Sequence, residues 1–101
     1  MNDKKSPASG DPQDGFDLIE YPVDYNFKAM CRAQDGSPAV DYISGLITPM
    51  LNDGALLELS TNSSRTGKFE SVTAVVRINS RDELESIYKL ISESPRVVMT
   101  L

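Results

Sequence analysis

The hydrophobic period of this chain changes in a fixed order. After a polar stretch of about fifteen residues, apolar residues recur with periods close to 2, 3.6, 2, 2, 3.6 and 2. Period 2 marks a strand with one face buried, and period 3.6 marks a helix with one apolar stripe. The order is therefore strand, helix, strand, strand, helix, strand. Few other features constrain the fold as tightly, because they leave a single arrangement for nearly the whole chain.

Along the first strand, Val23 to Cys31, Tyr25, Phe27 and Ala29 point one way and Asp24, Asn26, Lys28 and Met30 the other. Ser37 and Pro38 read as N-cap and first position of a helix. Its apolar stripe is Val40, Ile43, Ile47, Met50 and Leu51. Pro49 deletes one helical hydrogen bond, which predicts a kink or a ragged last turn. The second strand spans Ala55 to Thr61 and the third Phe69 to Asn79, joined by a polar hairpin loop, Asn62 to Lys68, that contains Gly67. The third strand sends Val72, Ala74, Val76 and Ile78 to one face and Phe69, Ser71, Thr73, Val75 and Arg77 to the other. Ser80 to Glu83 form a capping box. The stripe Leu84, Ile87, Tyr88, Ile91 follows, and Pro95 ends that helix. The last strand, Arg96 to Leu101, is expected to direct Val97, Met99 and Leu101 inward and Arg96, Val98 and Thr100 outward.

This βαββαβ order is the split βαβ plan of ferredoxin-like α+β domains. Right-handed crossovers place both helices on one face of a four-stranded antiparallel sheet of order 4-1-3-2. Residues 16–101 make up the domain. Residues 1–15 hold no apolar side chain larger than Met1 and are expected to be a disordered tail. That stretch carries no secretory signal, and no apolar run approaches the roughly 18 residues that span a bilayer, so the expected location is the cytoplasm, away from membranes. The glycosylation sequon at Asn62 then has no bearing.

Composition removes several functions. The chain of 101 residues has no histidine and one cysteine, Cys31. Zinc sites draw on Cys and His, and Ser-His or Cys-His nucleophile pairs need a histidine, so no metal, no cofactor and no catalytic group is expected. Cys31 reads as a small apolar residue at a strand end. Asp82, Glu83 and Glu85 sit at a helix start, where they complement its dipole. The net charge of −5 disfavours nucleic acid. RNA-recognition motifs share this strand order, but Ser71 and Ala74 stand where base-stacking aromatics are required, and Glu70 would face phosphate. The hairpin Ser63 to Lys68 offers hydroxyls and two cations to an anion, but it lacks the first glycine of a phosphate loop.

The face away from the helices is the remaining feature. It is expected to carry Lys28 and Met30, Glu58 and Ser60, Ser71, Thr73, Val75 and Arg77, and Arg96, Val98 and Thr100. Such a face is either simply solvated or meets a partner. The candidate binding residues are Lys28, Met30, Ser71, Thr73, Arg77 and Arg96, with Arg65 and Lys68 from the hairpin. They suit a protein partner or a small anionic ligand. The alternative is a homodimer through a sheet edge or the open face, with a ligand held between the subunits; the last strand is one of the two edges.

Several segments in order resemble the YbeD-like family of small bacterial domains of unknown function: Glu20-Tyr21-Pro22, Phe27-Lys28-Ala29-Met30, Ser-Arg-Thr-Gly-Lys-Phe-Glu-Ser-Val from Ser64 to Val72, Ile87-Tyr88-Lys89-Leu90, and Val97-Val98-Met99-Thr100-Leu101. Cys31 departs from a position where glycine is common in the family, and Pro49 interrupts the first helix. The resemblance implies an alpha-beta plait similar to ACT-type regulatory domains, without enzymatic activity. ACT-type domains often pair and hold a small molecule at the interface. Family members lie near lipoate-attachment genes, which implies a regulatory role linked to lipoate metabolism.

Overall fold

The computed structural model describes residues 18–101. The tail expected over residues 1–15 and the first two residues of the domain lie outside that range. The elements are β1 (Val23–Arg32), α1 (Ala39–Ile47), a 3-10 turn (Thr48–Met50), β2 (Leu56–Ser63), β3 (Phe69–Ile78), α2 (Arg81–Ser92) and β4 (Val97–Thr100). All strand pairs are antiparallel and the order is β2-β3-β1-β4, the expected 4-1-3-2 read from the other edge. The fold is ferredoxin-like.

The core lies between one sheet face and the two helices. Val72, Ala74, Val76 and Ile78 of β3 and Phe27, Ala29 and Cys31 of β1 are buried against Ile43 and Ile47 of α1 and Leu84, Ile87 and Ile91 of α2. Each large aliphatic side chain buried in full contributes about 1.5–3 kcal/mol by leaving water. This alternation, dry and wet every second residue, puts β3 at the centre of the domain.

The helices start in different ways. At α2 the Ser80 cap forms, with Glu83 reaching one residue further back than in a standard capping box: Ser80 Oγ accepts the Glu83 N–H at 3.2 Å, and Glu83 Oε1 accepts the N–H of Asn79, the residue before the cap, at 2.8 Å. At α1 the expected Ser37 cap does not form. Pro38 is the N-cap residue, with extended backbone and no side-chain bond. The first helical N–H, on Ala39, is instead satisfied from across the molecule by Glu70 Oε1 at 2.7 Å. The end of α1 is ragged as expected. The α-helix stops at Ile47 and Pro49 sits in the 3-10 turn, which leaves Met50 exposed and off the expected stripe. In the hairpin, Gly67 takes φ +76°, a conformation that costs other residues more.

The end of β4 corrects the expected facing. Ala29 pairs with Thr100 and Met30 with Met99, but Cys31 pairs with Val97, so Val98 is an extra residue in a bulge. A one-residue slip turns every later side chain to the opposite face. Val97 points inward as expected. Met99 instead joins Met30 on the open side, and Thr100 turns inward, its hydroxyl 3.0 Å from Tyr88 Oη. Leu101 is exposed.

Candidate functional site

The strand register lays out the open face as a grid. The central row is Lys28–Thr73–Ser60 across β1, β3 and β2. On one side lies the row Met99–Met30–Ser71–Asn62, and on the other Asn26–Val75–Glu58. Asp24 stands opposite Arg77 at one end of β1, and Arg32 opposite Phe69 at the other. A shallow depression lies over the central row, lined by Lys28, Ser60, Asn62, Ser71 and Thr73 among others.

The charges on this face differ in kind. Arg77 is bonded through Nε to the Asp24 carboxylate, and both side chains are about half exposed. That bond, aided by the Asp24 charge, raises the Arg77 pKa further above its usual range. Lys28 has no ion pair among the described residues. It is therefore the cation of the central row whose charge the fold leaves available. Its neighbours are hydroxyls and an amide, which accept or donate hydrogen bonds without carrying charge of their own.

Of the predicted residues, Lys28, Met30, Ser71, Thr73 and Arg77 share this face. Arg65 and Lys68 are exposed on the hairpin, and the Lys68 carbonyl accepts the Ala33 N–H at 2.9 Å, which ties the hairpin to the end of β1. Arg96 does not belong to the site. It is only 8% exposed. Its Nε donates to the Arg32 carbonyl at 2.8 Å, Nη1 to Ser37 Oγ at 3.0 Å, and Nη2 to the Ser37 carbonyl. Its guanidinium lies over the Tyr42 ring, 5.3 Å from the centroid. It ties the β1–α1 connection to the start of β4 on the helical side.

Asp24, Asn26, Arg32 and Asn62 also belong to the face. Asp24 and Asn26 follow from the same alternation that placed Lys28. Arg32 was lost by ending the strand one residue early, and Asn62 by starting the hairpin loop two residues early. With Arg96 gone, the cations are Lys28, Arg32 and Arg77 and the anions Asp24 and Glu58, so the surface is close to neutral; Lys28 and Arg32 have no ion pair among the described residues, and of the two Lys28 stands in the central row.

Other chemistry has little support. Among the described residues no group of three His, Cys, Asp or Glu could hold a metal. Cys31 is fully buried. Burial pushes its thiol pKa up from 9.0, Arg96 opposes that shift and Glu70 adds to it. A thiol held protonated is a poor nucleophile. Among the described residues no helix is long and apolar enough to cross a membrane.

Residues 17–101 match the family described as Protein of unknown function (DUF493). The chain belongs to this family. Its relatives include the UPF0250 protein NE1487 of Nitrosomonas europaea, 35% identical over 85 residues that cover 83% of this chain and 94% of the relative. A UPF0250 protein of a Janthinobacterium species is 32% identical over 85 residues, 83% of this chain and 90% of its own length. The backbone is similar to the solution structure of HP0495 from H. pylori, with a TM-score of 0.61 and 21% identity over 96% of this chain and 94% of that one. At that identity the likeness bears on the fold alone. No enzymatic family is indicated.

Proposed function

We propose that this domain is a non-enzymatic regulatory or adaptor module that takes a protein partner or a small anionic ligand on its open sheet face. The observation that carries this reading is Lys28. It is a cation at the centre of an uncovered face, without an ion pair among the described residues, beside Ser60, Ser71, Thr73 and Asn62. A carboxylate or phosphate placed there gains a charge-assisted bond to Lys28 and neutral bonds from the hydroxyls. Arg65 and Lys68 on the exposed hairpin add two further cations to this side of the domain. The family resemblance supports a role linked to lipoate metabolism. The test is capture from cell lysate with the wild-type chain and with Lys28→Glu and Arg77→Glu. Loss of the captured species in the charge-reversed chain supports the reading, and unchanged capture overturns the site.

A second reading has its own observation. β4 is an edge strand, and Val98, Met99 and Leu101 along it are 41%, 49% and 64% exposed. Exposed apolar residues on an unpaired edge suit strand pairing with a second copy, with a ligand held between subunits as in ACT-type domains. Light scattering over a concentration series tests it: a strictly monomeric chain at high concentration removes this reading.

A further inference from the structure

We propose a second anion site, separate from the sheet face: the cleft between the β1–α1 connection and the start of β4 binds the carboxylate of a small organic acid. The argument begins with Arg96. A charge so deeply buried normally meets a charge of opposite sign. Arg96 meets none, because its three acceptors are two carbonyls and a hydroxyl, and it has no ion pair among the described residues. A guanidinium carries five N–H groups. Three are bonded here, which leaves one on each terminal nitrogen without a protein acceptor among the described residues. Glu70, the acidic side chain that β3 sends to this end, keeps its charge but spends one oxygen on the Ala39 N–H and makes no ion pair with Arg96 among the described residues.

A second arginine supplies the independent observation. Arg32 and Arg96 line the same cleft, together with Ala33, Gln34 and Pro95. Arg32 Nη1 donates to the Pro95 carbonyl at 3.2 Å, and Arg32 has no ion pair among the described residues either. Two like charges on one cleft repel each other, and an anion between them reverses the sign of that interaction. The whole chain carries −5, so this positive spot does not follow from composition.

The chemistry favours a carboxylate over a phosphate. The acid's charged oxygens would meet the Arg32 and Arg96 guanidinium groups, and Ala33 and Pro95 give the cleft an apolar wall for an organic body, which inorganic phosphate lacks. The first N–H of the α1 N-terminus, the group that phosphate commonly seeks, is already bonded to Glu70.

The test is an NMR titration of the full chain, labelled with 15N, against sodium butanoate, sodium phosphate and sodium chloride at matched ionic strength. The signals followed are the amides of Ala33 and Gln34 and the Nε–H groups of Arg32 and Arg96. Saturable shifts with butanoate are expected, weakened about tenfold in Arg32→Gln as one charge-assisted contact is lost. Arg32 is exposed, so that variant should fold, and its melting temperature confirms it. Lys28→Glu should leave the titration unchanged, which separates this site from the sheet face. Shifts that do not saturate, that chloride reproduces, or that Arg32→Gln leaves intact overturn the proposal. Tighter saturation by phosphate than by butanoate overturns the assignment to a carboxylate.

Discussion

The two faces of the sheet are made by the same strands and have opposite chemistry. On β3, Val72, Ala74, Val76 and Ile78 are at most 1% exposed, while Ser71, Thr73 and Val75, half-buried, and Arg77, exposed, alternate with them on the open face. The helical face is closed by packing, and almost any change there must be felt as a loss of stability. Among the described residues nothing closes the open face, so changes there should cost less stability. Burial and exposure are therefore separated by residue parity along the strands. The two arginines near the sheet ends show the same division: Arg77 is half exposed with a carboxylate partner, and Arg96 is buried with neutral ones.

The sharpest way to break this comparison is to truncate the covered side. Ile87→Ala should cost about 2–5 kcal/mol in urea unfolding, from lost burial and the cavity left behind. A cost below about 1 kcal/mol would mean that the helical face is not the closed one. Next, Arg96→Ala should destabilise by about 2–3 kcal/mol, since it empties a buried position and leaves the partly buried carbonyls of Arg32 and Ser37 without their donor. Arg77→Ala should have a much smaller effect, because Asp24 is then simply solvated. Equal losses for the two arginines would undo the contrast. Ser80→Ala should cost about 1 kcal/mol through the lost cap of α2, read from the shift in the urea midpoint.

Cys31 gives a smaller, pH-dependent effect. Its folded pKa lies above the ordinary 9.0, so the unfolded thiol ionises first as pH rises. The thiol's contribution is fully present below pH 9.0 and declines above it, through the folded pKa. Cys31→Ala should flatten that decline in alkaline melting curves. Native Cys31 should also react slowly with a thiol reagent at neutral pH and quickly once urea unfolds the chain.

Much of this division was legible in the residues. The alternation over 69–78, the cap at Ser80 and the stripe of α2 all rest on local patterns, and each forms. The facing of β4 was not legible, because a strand of four residues carries too little alternation to reveal a bulge. Arg96 was misplaced with it. Its partners, the Arg32 carbonyl and Ser37, lie 64 and 59 residues away, and no local pattern announces them. The expected Ser37 cap failed for the same reason, since the acceptor for the Ala39 N–H comes from β3, 31 residues on. On the open face, Lys28, Ser71 and Thr73 were found by parity. What distinguishes Lys28 from Arg77 is the Asp24 pair, which only the strand register brings into view.

The most direct test of the open face as the recognition surface pairs binding with stability in one variant. Lys28→Glu should hold stability within about 0.5 kcal/mol, as surface changes do. The same chain should lose the species that the wild-type chain captures, quantified by mass spectrometry of proteins and small molecules. Capture undiminished in a chain that melts like wild type would contradict the account.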